Sequence, residues 1–176
     1  MAKLAQLNLR VPKGGLPGVT PALFRAFLEA ARVILSDLGY RTGTILTVDG
    51  LQSLQYCLKF RAATEQQRRS YSDPKETTEW AACGIAFLII PSITSFTVVE
   101  RSFIGTTVDY WLGHSNDPLF QNKARLEVSG IRRGNESEIK SRVSEKLRRS
   151  AKIPNSLPLY VSVTEFGTPC SCLVKK

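Results

Sequence analysis

Histidine occurs once in the 176 residues, at position 114. It sits in the loop-like stretch GHSND with no fixed partner, and on its own it is an exposed loop residue. The four cysteines make no disulfide framework. Cys57 and Cys83 lie in apolar stretches, and Cys170 and Cys172 are too close in sequence to pair easily. Cys170-x-Cys172 also lacks zinc spacing and a second ligand pair. The longest apolar run, Trp80 to Ile90, is 11 residues; a bilayer span needs roughly 20. The start, MAKLAQLNLR, carries no secretory signal. These absences lead us to expect a reducing, cytoplasmic setting and no membrane partner. No repeat or low-complexity tract is present. PKGGLPG lacks the Lys-Ser/Thr ending of a phosphate-binding loop, and G-x-S-x-G does not occur.

What is present is a globular composition, 43% hydrophobic and 22% charged, long enough to bury a core. There are 24 basic residues against 15 acidic, a net charge of +9. Such a surplus favours polyanions, nucleic acid first. It is also uneven: residues 43–122 sum to −2, whereas residues 123–152 hold 10 Lys/Arg against 4 Glu, or +6.

Hydrophobic periodicity orders the chain. Leu4 to Val11 alternates as a strand, and Pro12 to Gly18 is a loop. Thr20 caps a helix that starts at Pro21 and ends at Gly39. Thr44 to Val48 and Leu54 to Phe60 are strands about an Asp49-Gly50 hairpin signal. Residues 62–72 connect, partly as helix. Ser72 or Asp73 caps a helix running from Pro74 to about Pro91, apolar on most sides and therefore well buried. Strands are predicted over Ser95–Phe103, Thr106–Leu112 (TTVDYWL), Lys123–Ser129 (KARLEVS) and Leu159–Phe166, with CSCLV as a further candidate. Between the last two lies a helix capped by Asn135, with Glu138 completing a capping box. From residue 73 the order is helix, strand, strand, strand, helix, strand. The expected fold is α/β, a mixed central sheet flanked by helices. Residues 1–72 are expected to form an extension packed on a core of residues 73–176.

Asp109 and Glu127 fall on successive predicted strands, 18 positions apart. Two carboxylates converging from neighbouring strands can bind a hard divalent cation, which activates water and offsets charge on a phosphodiester. Alternation puts Lys123, Arg125, Glu127 and Ser129 on one face of their strand. With VDYWL on the second core strand and RLEVS on the third, residues 73–167 resemble the PD-(D/E)xK nuclease superfamily. The resemblance implies a restriction-endonuclease-like core and metal-dependent cleavage of DNA or RNA. Asp109 and Glu127 would then ligate Mg2+ or Mn2+, joined by Glu76 or Glu79 of the first core helix where members use such an acid. The usual lysine of that signature falls on Ser129, and its proline on Val108. Lys123 or Arg125, favoured by strand geometry, or Lys140 or Arg142 on the next helix, would supply the missing cation.

The basic run has two readings. Glu136–Lys140, Glu138–Arg142 and Glu145–Arg149 are i,i+4 pairs of a solvated helix face, each worth only ~0.2–0.5 kcal/mol. Arg132, Arg133, Lys146, Arg148 and Lys152 exceed that pairing. The expected nucleic-acid contacts are Arg132, Arg133, Lys140, Arg142, Lys146 and Arg149, with Tyr110, Trp111 and Phe120 available to stack on bases. The competing readings are a degenerate relative that binds nucleic acid without cutting it, and an adaptor that forms homo- or hetero-oligomers.

Overall fold

The computed structural model describes residues 4–103, 105–106, 108–150 and 156–176. Thr107, inside a predicted strand, and Lys152, at the end of the basic run, lie outside the described residues. The described elements run β1 (Ala5–Asn8), α1 (Pro21–Asp37), β2 (Ile45–Gly50), β3 (Leu54–Lys59), α2 (Glu65–Ser70), α3 (Pro74–Ile93), β4 (Thr97–Arg101), β5 (Tyr110–Gly113), β6 (Ala124–Ile131), α4 (Glu136–Ser150), β7 (Leu159–Glu165) and β8 (Cys170–Lys175). One mixed sheet holds all eight strands in the order β1-β3-β2-β8-β7-β6-β5-β4. The α/β fold is therefore as the sequence predicts. The segment before residue 73 is woven into the same sheet, because β2 pairs in parallel with β8.

Strand alternation divides the core between two faces. Leu126 of β6, Tyr160 of β7 and Leu173 of β8 pack with α1 and α3 in the larger cluster. Val161 and Val163 of β7 turn the other way, onto Ile139 and Val143 of α4. α3 has apolar residues on most sides because it lies between α1 and the sheet, and it is largely buried. It continues past Pro91 to Ile93, since a proline near the last turn removes only one hydrogen bond. At Gly130 of β6, a Cβ would stand 2.4 Å from the Thr78 carbonyl oxygen of α3. Gly130→Ala is accordingly expected to destabilise the fold by about 1–3 kcal/mol through overpacking. A urea midpoint that falls with an unchanged slope checks this.

Two local expectations need correction. Asp49 and Gly50 do not form the hairpin turn; they end β2, and residues 51–53 turn instead, closed by the Ser53 hydroxyl donating to Asp49 (2.9 Å). Gly50, at φ +112°, lies against Leu173 of β8, where a Cβ would come within 2.1 Å of the carbonyl oxygen. Long-range pairing thus overrides the dipeptide's turn preference. The strand predicted from Thr106 begins only at Tyr110. Thr106 instead serves a turn, its hydroxyl bonded to Ser102 and to the Phe103 carbonyl.

Candidate active site

β5 and β6 are antiparallel, with Tyr110 opposite Leu126 and Leu112 opposite Ala124. One step further along this register brings Asp109 opposite Glu127. The Asp109 N–H donates to the Leu126 carbonyl (3.0 Å), and its Oδ2 accepts from the Val128 N–H (2.8 Å). Tyr110 and Leu126 face the α1–α3 core, and Glu127 turns to α4, where Lys146 meets it. Asp109 precedes the first residue of β5 and lies near enough for its charge to act on Glu127. Tyr110 is buried rather than exposed, packing edge-on against Phe87.

The Glu127 side chain is 9% exposed, and its Oε2 accepts from Lys146 Nζ of α4 at 2.6 Å. Burial first, and then the Asp109 charge, push its carboxyl above the usual range. Lys146 and Arg149 pull the other way without cancelling the rise. Glu165, the other deeply buried carboxylate, differs in kind. It accepts backbone N–H bonds from Gly134 (3.0 Å), Gly167 (2.5 Å) and Thr168 (2.7 Å), an entirely structural role.

A cleft of about 610 Å³ opens at Asp109; Glu127 does not line it itself, and its partner Lys146 does. Arg101, Arg142, Lys146 and Arg149 line it, together with the acids Glu79 of α3, Asp109 and Glu145 of α4. Arg142 donates to the Ser129 hydroxyl (2.9 Å), which brings a guanidinium to the position that lacks a lysine. Cys83 also lines the cleft, and burial pushes its thiol up to about 12, which disfavours the thiolate at neutral pH.

The remaining expected site residues lie elsewhere. Lys123 is exposed and donates to Gln121 (2.6 Å). Arg125 turns its guanidinium onto the Leu157 carbonyl, through Nε (3.1 Å) and Nη2 (2.9 Å). Neither lines the cleft, although both alternate with Glu127 on one strand face. Arg132 pairs with Asp37 of α1 (3.3 Å), Lys140 with Glu136 (2.5 Å), and Arg133 is exposed outside the cleft. Glu138 is taken by the capping box with Asn135 and leaves Arg142 free for Ser129. Glu76 lies outside the cleft, and His114 bonds the Ser95 carbonyl (3.1 Å).

The sequence put Lys146 on a basic helix face but did not pair it with Glu127. Arg142, Lys146 and Arg149 follow one another at helical spacing, beside the apolar stripe of Ile139 and Val143. Arg101 had no such signal.

Among the described residues, no three His, Cys, Asp or Glu side chains cluster closely enough to ligate a metal by themselves. The donor set is two hard carboxylates, each with one oxygen already bonded within the protein. Such a pair still fits Mg2+, which commonly takes one or two carboxylates and completes its shell with water and substrate phosphate. No described helix is long and apolar enough to cross a membrane. Compared with known proteins, the chain matches no family model, no curated protein and no solved structure at a significant level.

Proposed function

We propose that the chain is a metal-dependent phosphodiesterase acting on nucleic acid, with a PD-(D/E)xK-like core. The observation that carries this reading is Asp109 meeting β6 beside Glu127, close enough for the two charges to interact, at a cleft that Arg101, Arg142, Lys146 and Arg149 line. The order α3, β4, β5, β6, α4, β7 supports it, being the helix-strand-strand-strand-helix-strand order of that superfamily.

Asp109 and Glu127 would hold the Mg2+ or Mn2+. When bound, the ion lowers the pKa of water and offsets phosphoryl charge. The protein's own groups do the rest. The Val128 N–H fixes one Asp109 oxygen and so orients the carboxylate. Lys146, rather than Lys123 or Arg125, takes the role of the missing lysine. In the resting site it holds Glu127, and on substrate binding it steadies charge at the scissile phosphate. Arg142 and Arg149 bind the backbone on either side, each already next to Glu145 (3.9 Å for both pairs). A second reading, binding without cleavage, draws support from Lys146 already occupying a Glu127 oxygen.

The test is cleavage of end-labelled single- and double-stranded DNA and RNA, with Mg2+, with Mn2+ and with chelator. Metal-dependent products lost in Asp109→Asn support the nuclease. Steeply salt-dependent binding without products supports the second reading. Neither binding nor products defeats both.

A further inference from the structure

A second concave, strongly basic surface lies at the opposite end of the sheet, around its edge strand β1. A cleft of about 450 Å³ is lined by Arg10, Arg32, Lys59 and Arg61, with Asn8, Leu9, Thr42 and Phe60 completing its wall. An adjoining hollow of about 290 Å³ shares Arg10 and Arg32 and adds Arg25. Neither lining contains a single acidic residue. Among the described residues, Arg10, Arg25, Lys59 and Arg61 make no ion pair.

Arg32 is the one of the group held by an acidic side chain. Its Nη2 donates to Glu29 (3.3 Å), which is itself held by Gln67 (2.8 Å) and by the Tyr71 hydroxyl (3.3 Å). Its Nε–H is buried and has no acceptor within the protein. A buried donor without a partner is uncommon, and this one belongs to a residue that both hollows share.

Charge on an edge strand often serves only to block pairing with another sheet. That accounts for Arg10 beside β1. It does not account for Arg25 and Arg32, which are seven residues apart on one face of α1 and belong to no strand. Four or five cations in a hollow focus a positive potential that an anion relieves. Arginine's planar fork matches phosphate oxygens, whereas the sparse apolar lining offers little to an uncharged ligand.

We infer that this cleft is a second, phosphate-binding site, distinct from the one at Asp109 and Glu127, in which Arg10, Arg32, Lys59 and Arg61 grip a phosphate-bearing ligand. The phosphate belongs either to a free phosphorylated compound or to a nucleic-acid backbone. The inference does not rest on the proposed nuclease activity.

The test uses the full chain in chelator, so that no cleavage intervenes. Two probes are titrated, inorganic pyrophosphate by calorimetry and a fluorescein-labelled single-stranded oligonucleotide by anisotropy. The charge reversals Arg10→Glu and Arg61→Glu, made together at exposed positions, are expected to weaken binding by about tenfold or more and to lower the salt slope by about two. Lys75→Glu, an exposed reversal on α3 outside both clefts, is expected to change affinity by less than about twofold. Loss with both probes assigns a free phosphorylated ligand, and loss with the oligonucleotide alone assigns a backbone; either supports the site. Should the double variant fail to fold, Arg61→Ala is read in its place, with a loss of about threefold. The inference is overturned if neither probe binds the wild type, if the variants at positions 10 and 61 bind as the wild type does, or if Lys75→Glu weakens binding equally.

Discussion

Lys146→Met is expected to destabilise the protein by about 3 kcal/mol at neutral pH, because it strips the partner from a buried carboxylate. Both side chains of that pair are largely buried, at 17% and 9% exposed, so water replaces little of what is lost. For a chain of this size the melting temperature should fall by about 6–12 °C. The pH dependence is the sharper readout. The Glu127 carboxyl is raised in the folded state, so the folded protein holds that proton more tightly than the unfolded chain. Its contribution is therefore most favourable below the ordinary carboxylate pKa of 4.5 and is lost as pH rises towards the raised folded value. Removing Lys146 raises that value further. The gap between variant and wild type should be small near pH 4 and widen towards pH 8. Combining Lys146→Met with Glu127→Gln removes the stranded charge and should restore most of the loss. Thermal melts across pH decide the matter; a Lys146→Met protein that melts like the wild type at pH 8 rules the account out.

Glu127→Gln alone should separate chemistry from folding. The amide keeps the shape and an acceptor for Lys146, and it removes a charge that burial disfavours. It is expected to melt close to the wild type while metal-dependent cleavage falls about 10²–10³-fold, the loss seen when one preorganised electrostatic group is deleted. Mg2+ should raise the wild-type melting temperature more at pH 8 than at pH 5, because cation and proton compete for the same carboxylate. In Glu127→Gln that difference should vanish. Unimpaired cleavage in this variant would remove Glu127 from the chemistry.

What the sequence made legible was local. Strict alternation in KARLEVS found β6 and the face carrying Glu127, and Asn135 with Glu138 marked the start of α4. Asp49-Gly50 misled because its turn preference competes with pairing to a strand more than 120 residues away, which no local window contains. Arg125 misled for a related reason. Alternation says which side of a strand a residue takes, but not where a long side chain ends, and this one is spent on the Leu157 carbonyl. The same limit hid Lys146, whose reach to Glu127 depends on how α4 lies across β6 and β7.

The position of β8 bears on how the molecule is made. It lies between β2 and β7 and joins the three earliest strands to the four middle ones. During synthesis those two groups emerge from the ribosome with open edges and no strand between them. The sheet closes only when residues 170–175 have cleared the exit tunnel. A nascent chain stalled before that point exposes two unpaired edges to aggregation, and it is there that a chaperone would be needed most.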